Sequence, residues 1–189
     1  MTMLEILDHF FAVVCSQNPD HSWAPGGLML PCCQRCTGLY VGAFAATGLL
    51  LWLRPRISGR FLLVHGLFLL QMAPFGFHWL PQGPMLRTWT GLLLGYGVVS
   101  YLWLTPASRL QTSPTETAHA MWKYSLGLCA SVLLTSAAAV WGGRSGAFLL
   151  SVLVFAGSVS LAGLLLANFG LGLISLAGLC RHARPGALT

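Results

Sequence analysis

Residues 146–179 contain no charged side chain. As one straight α-helix this stretch would be about 50 Å long, well beyond a hydrocarbon core of about 30 Å. A run of that length crosses a bilayer and must tilt, bend or break, and Asn168-Phe169-Gly170 is the expected break. Lipid offers backbone groups no hydrogen bonds, so only helices or a closed barrel can span it. The apolar runs show no period-two alternation, which selects helices. The rest of the chain agrees: 56% of residues are hydrophobic and 7% charged, where a soluble domain has about 25% charged. Further runs at 36–53, 61–80 and 87–104, and one at 119–141, complete the pattern. The expected fold is all-α: a polytopic membrane bundle of about five transmembrane helices forming a single domain over 1–189.

Residues 3–16 read as an amphipathic helix, with Met3, Leu7, Phe10, Phe11 and Val14 on one face. About 14 residues are too few to span, since a span needs about 20, so an interfacial helix is expected. Glu5 and Asp8 stand where a secretory signal would carry positive charge, so no cleavable signal is expected. The net charge is +6, but the basic residues are scattered singly between apolar runs. That distribution lacks the basic patch of a nucleic-acid binder and serves as a topology signal instead. Arg54, Arg56 and Arg60 crowd one short loop, Arg109 and Lys123 flank another, and Arg181 and Arg184 follow the last run. The bias places these loops and the C-terminus in the cytoplasm. The loop at 17–35 then faces outward from the inner (plasma) membrane, and the lipid bilayer is the protein's surroundings. Trp23, Trp79, Trp89, Trp103 and Trp141 near the run ends read as membrane-belt residues.

Chemistry concentrates in that outer loop. Cys15, Cys32, Cys33 and Cys36 are four of the six cysteines; Cys129 and Cys180 sit in apolar surroundings and read as packing residues. Cys33 and Cys36 form a Cys-x-x-Cys pair at the head of the first long run. A thiol there meets the positive end of a helix macrodipole, and Arg35 is adjacent, so thiolate is favoured. Gly38-Gly42 and Gly91-Gly95 are GxxxG steps that permit close helix approach. Arg87 lies one turn before Gly91 and shares its face. These spacings bring the cysteines, Arg87 and His78 to one level.

Three readings of the thiols stand open. Cys15, Cys33 and Cys36 with His21 or His78 would hold zinc or iron. A disulfide from Cys15 to Cys33 or Cys36 would staple the loop. Redox-active thiols would make Cys33 and Cys36 catalytic. Arg87 and His65 are further catalytic candidates, the latter because an ionisable group inside a membrane is a functional candidate by default. Arg35, Tyr40, Arg87 and Thr90 are candidates for contacting a substrate, with an anionic lipid or phosphate group the partner of Arg87.

At Cys33, Arg35, Cys36, Gly38, Tyr40 and Gly42 the chain resembles a family of small prokaryotic membrane proteins, domain of unknown function family twenty eighty-five. Its pattern Cys-x-Arg-Cys-x-Gly-x-Tyr-x-Gly opens a membrane helix. Cys15 to Trp23 resembles an upstream element of that family, and Leu86, Arg87, Thr90, Gly91 and Gly95 resemble a later one. The resemblance covers roughly 10–100 and implies that the outer cluster is the family's shared element. Two positions depart from it: Ser16 replaces a histidine, and His65-Gly66 replaces an Asp-Gly pair. The function expected is a membrane protein with a metal-binding or disulfide-stapled Cys/Arg/His cluster that binds or assembles with another membrane protein. The alternatives are a membrane enzyme, either a thiol-disulfide oxidoreductase or one acting on an anionic lipid, and a transporter.

Overall fold

The computed structural model describes residues 3–55, 57–77, 79–109 and 118–182. Among these residues eight α-helices follow in order: α1 (Met3–Ala12), α2 (Gln34–Leu53), α3 (Gly59–Leu70), α4 (Met72–Gly76), α5 (Pro84–Leu102), α6 (Leu104–Arg109), α7 (Ala118–Trp141) and α8 (Gly143–His182). Single 3-10 turns at Pro19–His21 and Pro25–Gly27 shape the loop between α1 and α2. The one β-bridge among the described residues pairs Ser22 with Cys33 and pins the end of that loop to the start of α2.

The seam between α2 and α5 organises the bundle. A Cβ on Gly38 would fall on the Thr88 carbonyl oxygen, and one on Gly42 on the Leu92 carbonyl oxygen. Reciprocally, Gly91 lies against the Arg35 carbonyl and Gly95 against the Leu39 carbonyl. The two GxxxG steps therefore face each other, and α2 and α5 run parallel with their backbones in contact. Gly157 brings α8 equally close, against the Tyr40 carbonyl. Local signals set the ends. Cys33 holds extended backbone before α2, Ser58 Oγ accepts the Phe61 N–H at 3.2 Å to start α3, and Pro84 opens α5.

Two apolar cores flank the seam. One gathers Leu7, Phe11, Cys15, Cys32, Tyr40 and Val154; the other gathers Leu50, Phe61, Leu92, Tyr96, Val99 and Leu164. The opposite faces of α2, α7 and α8 are apolar and exposed, with Trp52 at 78% and Leu166 at 71%. Apolar surface of this extent suits lipid rather than water.

Several expectations change. Three helices are long and apolar enough to cross a membrane among the described residues: Gln34–Leu53, Ala120–Trp141 and Gly143–Leu176. The run at 61–80 is not one helix. It breaks after Leu70, where Gln71 turns its amide to the Thr90 carbonyl at 3.0 Å and α4 follows. The third run begins earlier and ends earlier, at Pro84–Leu102. No break occurs at Asn168-Phe169-Gly170: α8 is continuous over 40 residues. Asn168 instead binds the chain together, donating to the carbonyls of Leu164 and Leu102, each at 2.8 Å. The N-terminal helix stops at Ala12, and it does more than lie at an interface, because Leu7 and Phe11 are buried in the first core. Trp103 is buried and Trp23 donates to Thr88 Oγ1 at 2.8 Å, so neither is a free belt residue.

Candidate metal centre

The chain leaves α1, turns at Cys15, folds through the two 3-10 turns and returns to enter α2 at Cys33. Gln17 Nε2 donates to the Pro31 carbonyl at 2.9 Å and Trp23 ties the loop to α5, so the excursion is braced at both ends. The path places Cys15 beside the first turn of α2. The sulfurs of Cys15, Cys33 and Cys36 all lie within 4.8 Å of one another. A tetrahedral zinc with bonds of about 2.3 Å needs sulfurs roughly 3.8 Å apart, so small side-chain rotations close the group.

All three are free thiols, as are Cys32 and Cys129. The disulfide staple expected from Cys15 is therefore not formed. Cys15 Sγ accepts the Cys33 backbone N–H at 3.3 Å instead. The thiols meet as a trio, and one disulfide would leave the third without a partner.

The surroundings favour thiolate. The Cys33 thiol is pushed down to about 5, chiefly because the Cys36 thiol hydrogen-bonds to it, and the backbone N–H groups of Cys36 and Arg35 add to the effect. Cys32 is the contrast. It is fully buried in the first core, sits 3.4 Å from Thr37 Oγ1, and burial pushes its thiol up to about 12. Adjacent cysteines thus have opposite characters because one caps the helix and the other points into apolar packing.

A cavity of about 350 Å³ opens on the trio, lined by Val14, Cys15, Ser16, Asn18, His21, Cys33, Arg35, Cys36 and Arg87. His21 stands outside the 4.8 Å group, but its Nδ1 is buried without a hydrogen-bond partner. Such an orphaned nitrogen is uncommon in a folded protein. Arg35 donates through Nη2 to the Phe75 carbonyl at 3.1 Å and to Gln82 Oε1 at 2.6 Å, while its Nε is buried and unpaired.

Other candidates lie elsewhere. Tyr40 packs its ring against Phe11 in the first core, and Thr90 donates to the Arg87 carbonyl at 3.1 Å; neither lines the cavity. His65 is buried, with Nδ1 at 2.8 Å from the Phe61 carbonyl and Nε2 at 3.0 Å from the Tyr124 hydroxyl. The carbonyl accepts, so Nδ1 carries the proton and Nε2 accepts from Tyr124. His78 lies outside the described residues. Gln82 and Thr88 carry no local sequence signal, because their contacts with Arg35 and Trp23 depend on how distant segments pack. Asn18 lies in the Cys15–Trp23 element, and its side chain accepts the Asp20 N–H at 3.0 Å.

Three long apolar helices and a convergent thiol trio define a helical membrane protein with a cysteine group that could hold a metal ion. Residues 15–101 match the family model described as Predicted membrane protein (DUF2085), the family that the Cys-x-Arg-Cys motif resembles. Every cavity-lining residue except Val14 falls inside the matched segment, while α7 and α8 fall outside it. No curated protein and no solved structure matches the chain.

Proposed function

We propose that this protein holds one thiophilic metal ion, zinc or iron, through Cys15, Cys33 and Cys36, and that the ion fastens α1 and the 17–35 loop onto α2. The role is binding and assembly rather than catalysis. The observation that carries the reading is the convergence of three free thiols within 4.8 Å. Soft sulfur donors select such metals over magnesium or calcium. His21 Nδ1 is the fourth ligand, reached by rotation of the ring within the shared cavity, which supplies its missing partner. Cys15 stands 18 residues before Cys33, so a metal between them closes that loop.

The same reading includes five crossings of the plasma membrane. The parallel direction of α2 and α5 requires a return between them, which α3 and α4 make together. Gly26 beside Gly143 and Arg144 puts the α7–α8 turn at the end where α2 begins, so α7 rises toward it and α8 descends. Arg54, Arg60 and Arg109 then lie at the opposite end, on the cytoplasmic side with the C-terminus, and the metal cluster faces outward.

Elemental analysis of protein purified without chelator tests the reading. The expected result is about one zinc or iron per chain, with the three thiols alkylated only after chelation. Metal-free protein that stays metal-free on incubation with zinc, or thiols released only by reductant, would overturn it.

A further inference from the structure

We infer that the cavity beside the thiols is also a binding site for a phosphate-type oxyanion, held by Arg87 and Arg35. The argument stands on the cavity's lining and does not require that a metal be bound. Both guanidiniums are half-buried and line one space of about 350 Å³. That lining contains no carboxylate. Asp20 is two residues from Asn18 but is exposed and does not line the cavity. Among the described residues, neither guanidinium makes an ion pair.

The two arginines differ in a telling way. Arg35 is anchored by neutral acceptors, the Phe75 carbonyl and Gln82 Oε1, which fix its plane without cancelling its charge. Its Nε remains buried and unpaired. Arg87 has no side-chain acceptor at all among the described residues; only its backbone carbonyl is engaged, by Thr90. A cation drawn partly out of water without a counter-charge is costly unless a ligand supplies one. Three thiolates around a divalent cation carry a single negative charge, so two guanidiniums leave the cavity positive even with the metal in place.

The donor set indicates the shape of the anion. The Arg87 fork and the Arg35 N–H groups that Phe75 and Gln82 leave free, on Nη1 and Nε, are joined in the lining by the Ser16 hydroxyl and the Asn18 side-chain amide. So many donors exceed what the two oxygens of a carboxylate can accept, and they suit the tetrahedral oxygens of phosphate. The rim carries apolar residues too. Val14 lines the cavity and is 58% exposed, and Val13 beside it is 86% exposed. The oxyanion can therefore come from a free phosphate or from a lipid headgroup lying at the rim.

Phenylglyoxal modification of Arg87, followed by mass spectrometry, separates these sources and tests the site. The full chain is held in dodecyl maltoside micelles, which contain no phosphate. Inorganic phosphate is added in one arm and phosphatidylglycerol in the other. Exposed Arg54 and Arg60 serve as internal references. A several-fold slowing at Arg87 with inorganic phosphate identifies a free oxyanion site; slowing with the lipid alone identifies a headgroup site. Either result, absent at the reference arginines, supports the inference. Equal modification rates in all arms, or equal slowing at all three arginines, overturn it. Metal content is measured on the same samples. Protection without metal refutes the metal reading alone, and metal without protection refutes this inference alone.

Discussion

At one end of the bundle, His65, Tyr124 and Ser100 form a closed chain of hydrogen bonds. At the other, His21, Arg35 and Arg87 face a cavity with donors and acceptors left over. Both groups are polar side chains in a largely apolar molecule, and both sit where helices from different parts of the chain meet. In the first group every atom is used. Tyr124 donates to His65 Nε2 at 3.0 Å, Ser100 approaches the Tyr124 oxygen at 3.4 Å, and the other ring nitrogen donates to the Phe61 carbonyl. Phe61 stacks on the His65 ring with centroids 4.0 Å apart. In the second group His21 Nδ1 and Arg35 Nε are buried without partners, the Arg87 side chain has no acceptor among the described residues, and three free thiols converge without a disulfide. A saturated network fixes helices in register, whereas an unsaturated one has capacity for something from outside. From this contrast we propose a structural role for His65, although it is the more deeply buried ionisable group.

Overpacking the seam should have the largest effect, and it should abolish both clusters at once. Gly38→Val places carbon where the Thr88 carbonyl oxygen now sits. Backbone cannot retreat as a side chain can, so the cost should exceed the about 1–3 kcal/mol typical of overpacking. The variant should fail to give a monodisperse folded peak on size exclusion in detergent. If it folds with a thermal midpoint near wild type, the parallel α2–α5 contact is wrong, and so is the common level of the cysteines and Arg87.

Next in size, and aimed at one cluster only, is Cys36→Ser. Metal content falls by most of its value, and chelator ceases to lower the melting temperature that it lowers in wild type. A ligand present at a hundred times its dissociation constant stabilises by about 2.7 kcal/mol, which sets the scale of the chelator effect. A wild-type melt indifferent to chelator would remove the ion from the folded state.

His65→Leu should produce the complementary pattern. It removes the ring's hydrogen bonds to Tyr124 and to the Phe61 carbonyl and leaves the Tyr124 hydroxyl with Ser100 alone, a loss of about 1 kcal/mol. Thermal melts should show the loss while metal content stays at the wild-type value. A fall in metal content would join the two ends energetically and dissolve the contrast between them.

These contrasts also show what a sequence can and cannot disclose. The Gly38-Gly42 and Gly91-Gly95 steps were readable as close-approach sites because spacing by four defines one helix face. The trio was readable in part for the same reason, Cys33 and Cys36 being one turn apart, while Cys15 required the loop to return on itself. The saturation of His65 was not readable. Its partner Tyr124 is 59 positions away, and no local rule pairs two helices side by side. The continuity of α8 through Asn168 was hidden similarly, since an Asn-Phe-Gly sequence disfavours a helix until the Leu102 carbonyl receives the amide. Hydropathy does not reveal that the 61–80 run is interrupted, but Pro74 does, because it has no N–H for the Leu70 carbonyl one turn earlier.

The smallest effect should separate neighbouring cysteines within the unsaturated cluster itself. Cys32 and Cys33 are adjacent, yet Cys32 is fully buried with its thiol held near 12 and Cys33 is half-buried with its thiol near 5. The lowered value means that Cys33 thiolate is dominant above pH of about 5 and is protonated as pH falls through it. Metal-free protein treated with iodoacetamide at mildly acidic pH should therefore be alkylated at Cys33 and spared at Cys32, as peptide mapping would show. Cys32→Ser should leave metal content intact and cost only about 1 kcal/mol, since serine keeps a hydroxyl for Thr37 but hides it in an apolar core. If Cys32→Ser emptied the site, the fourth thiol would be a ligand and His21 would lose the role assigned to it. If instead Cys32 were alkylated as readily as Cys33, the first core would be open to water near α1, and the burial of Leu7 and Phe11 against it would have to be given up as well.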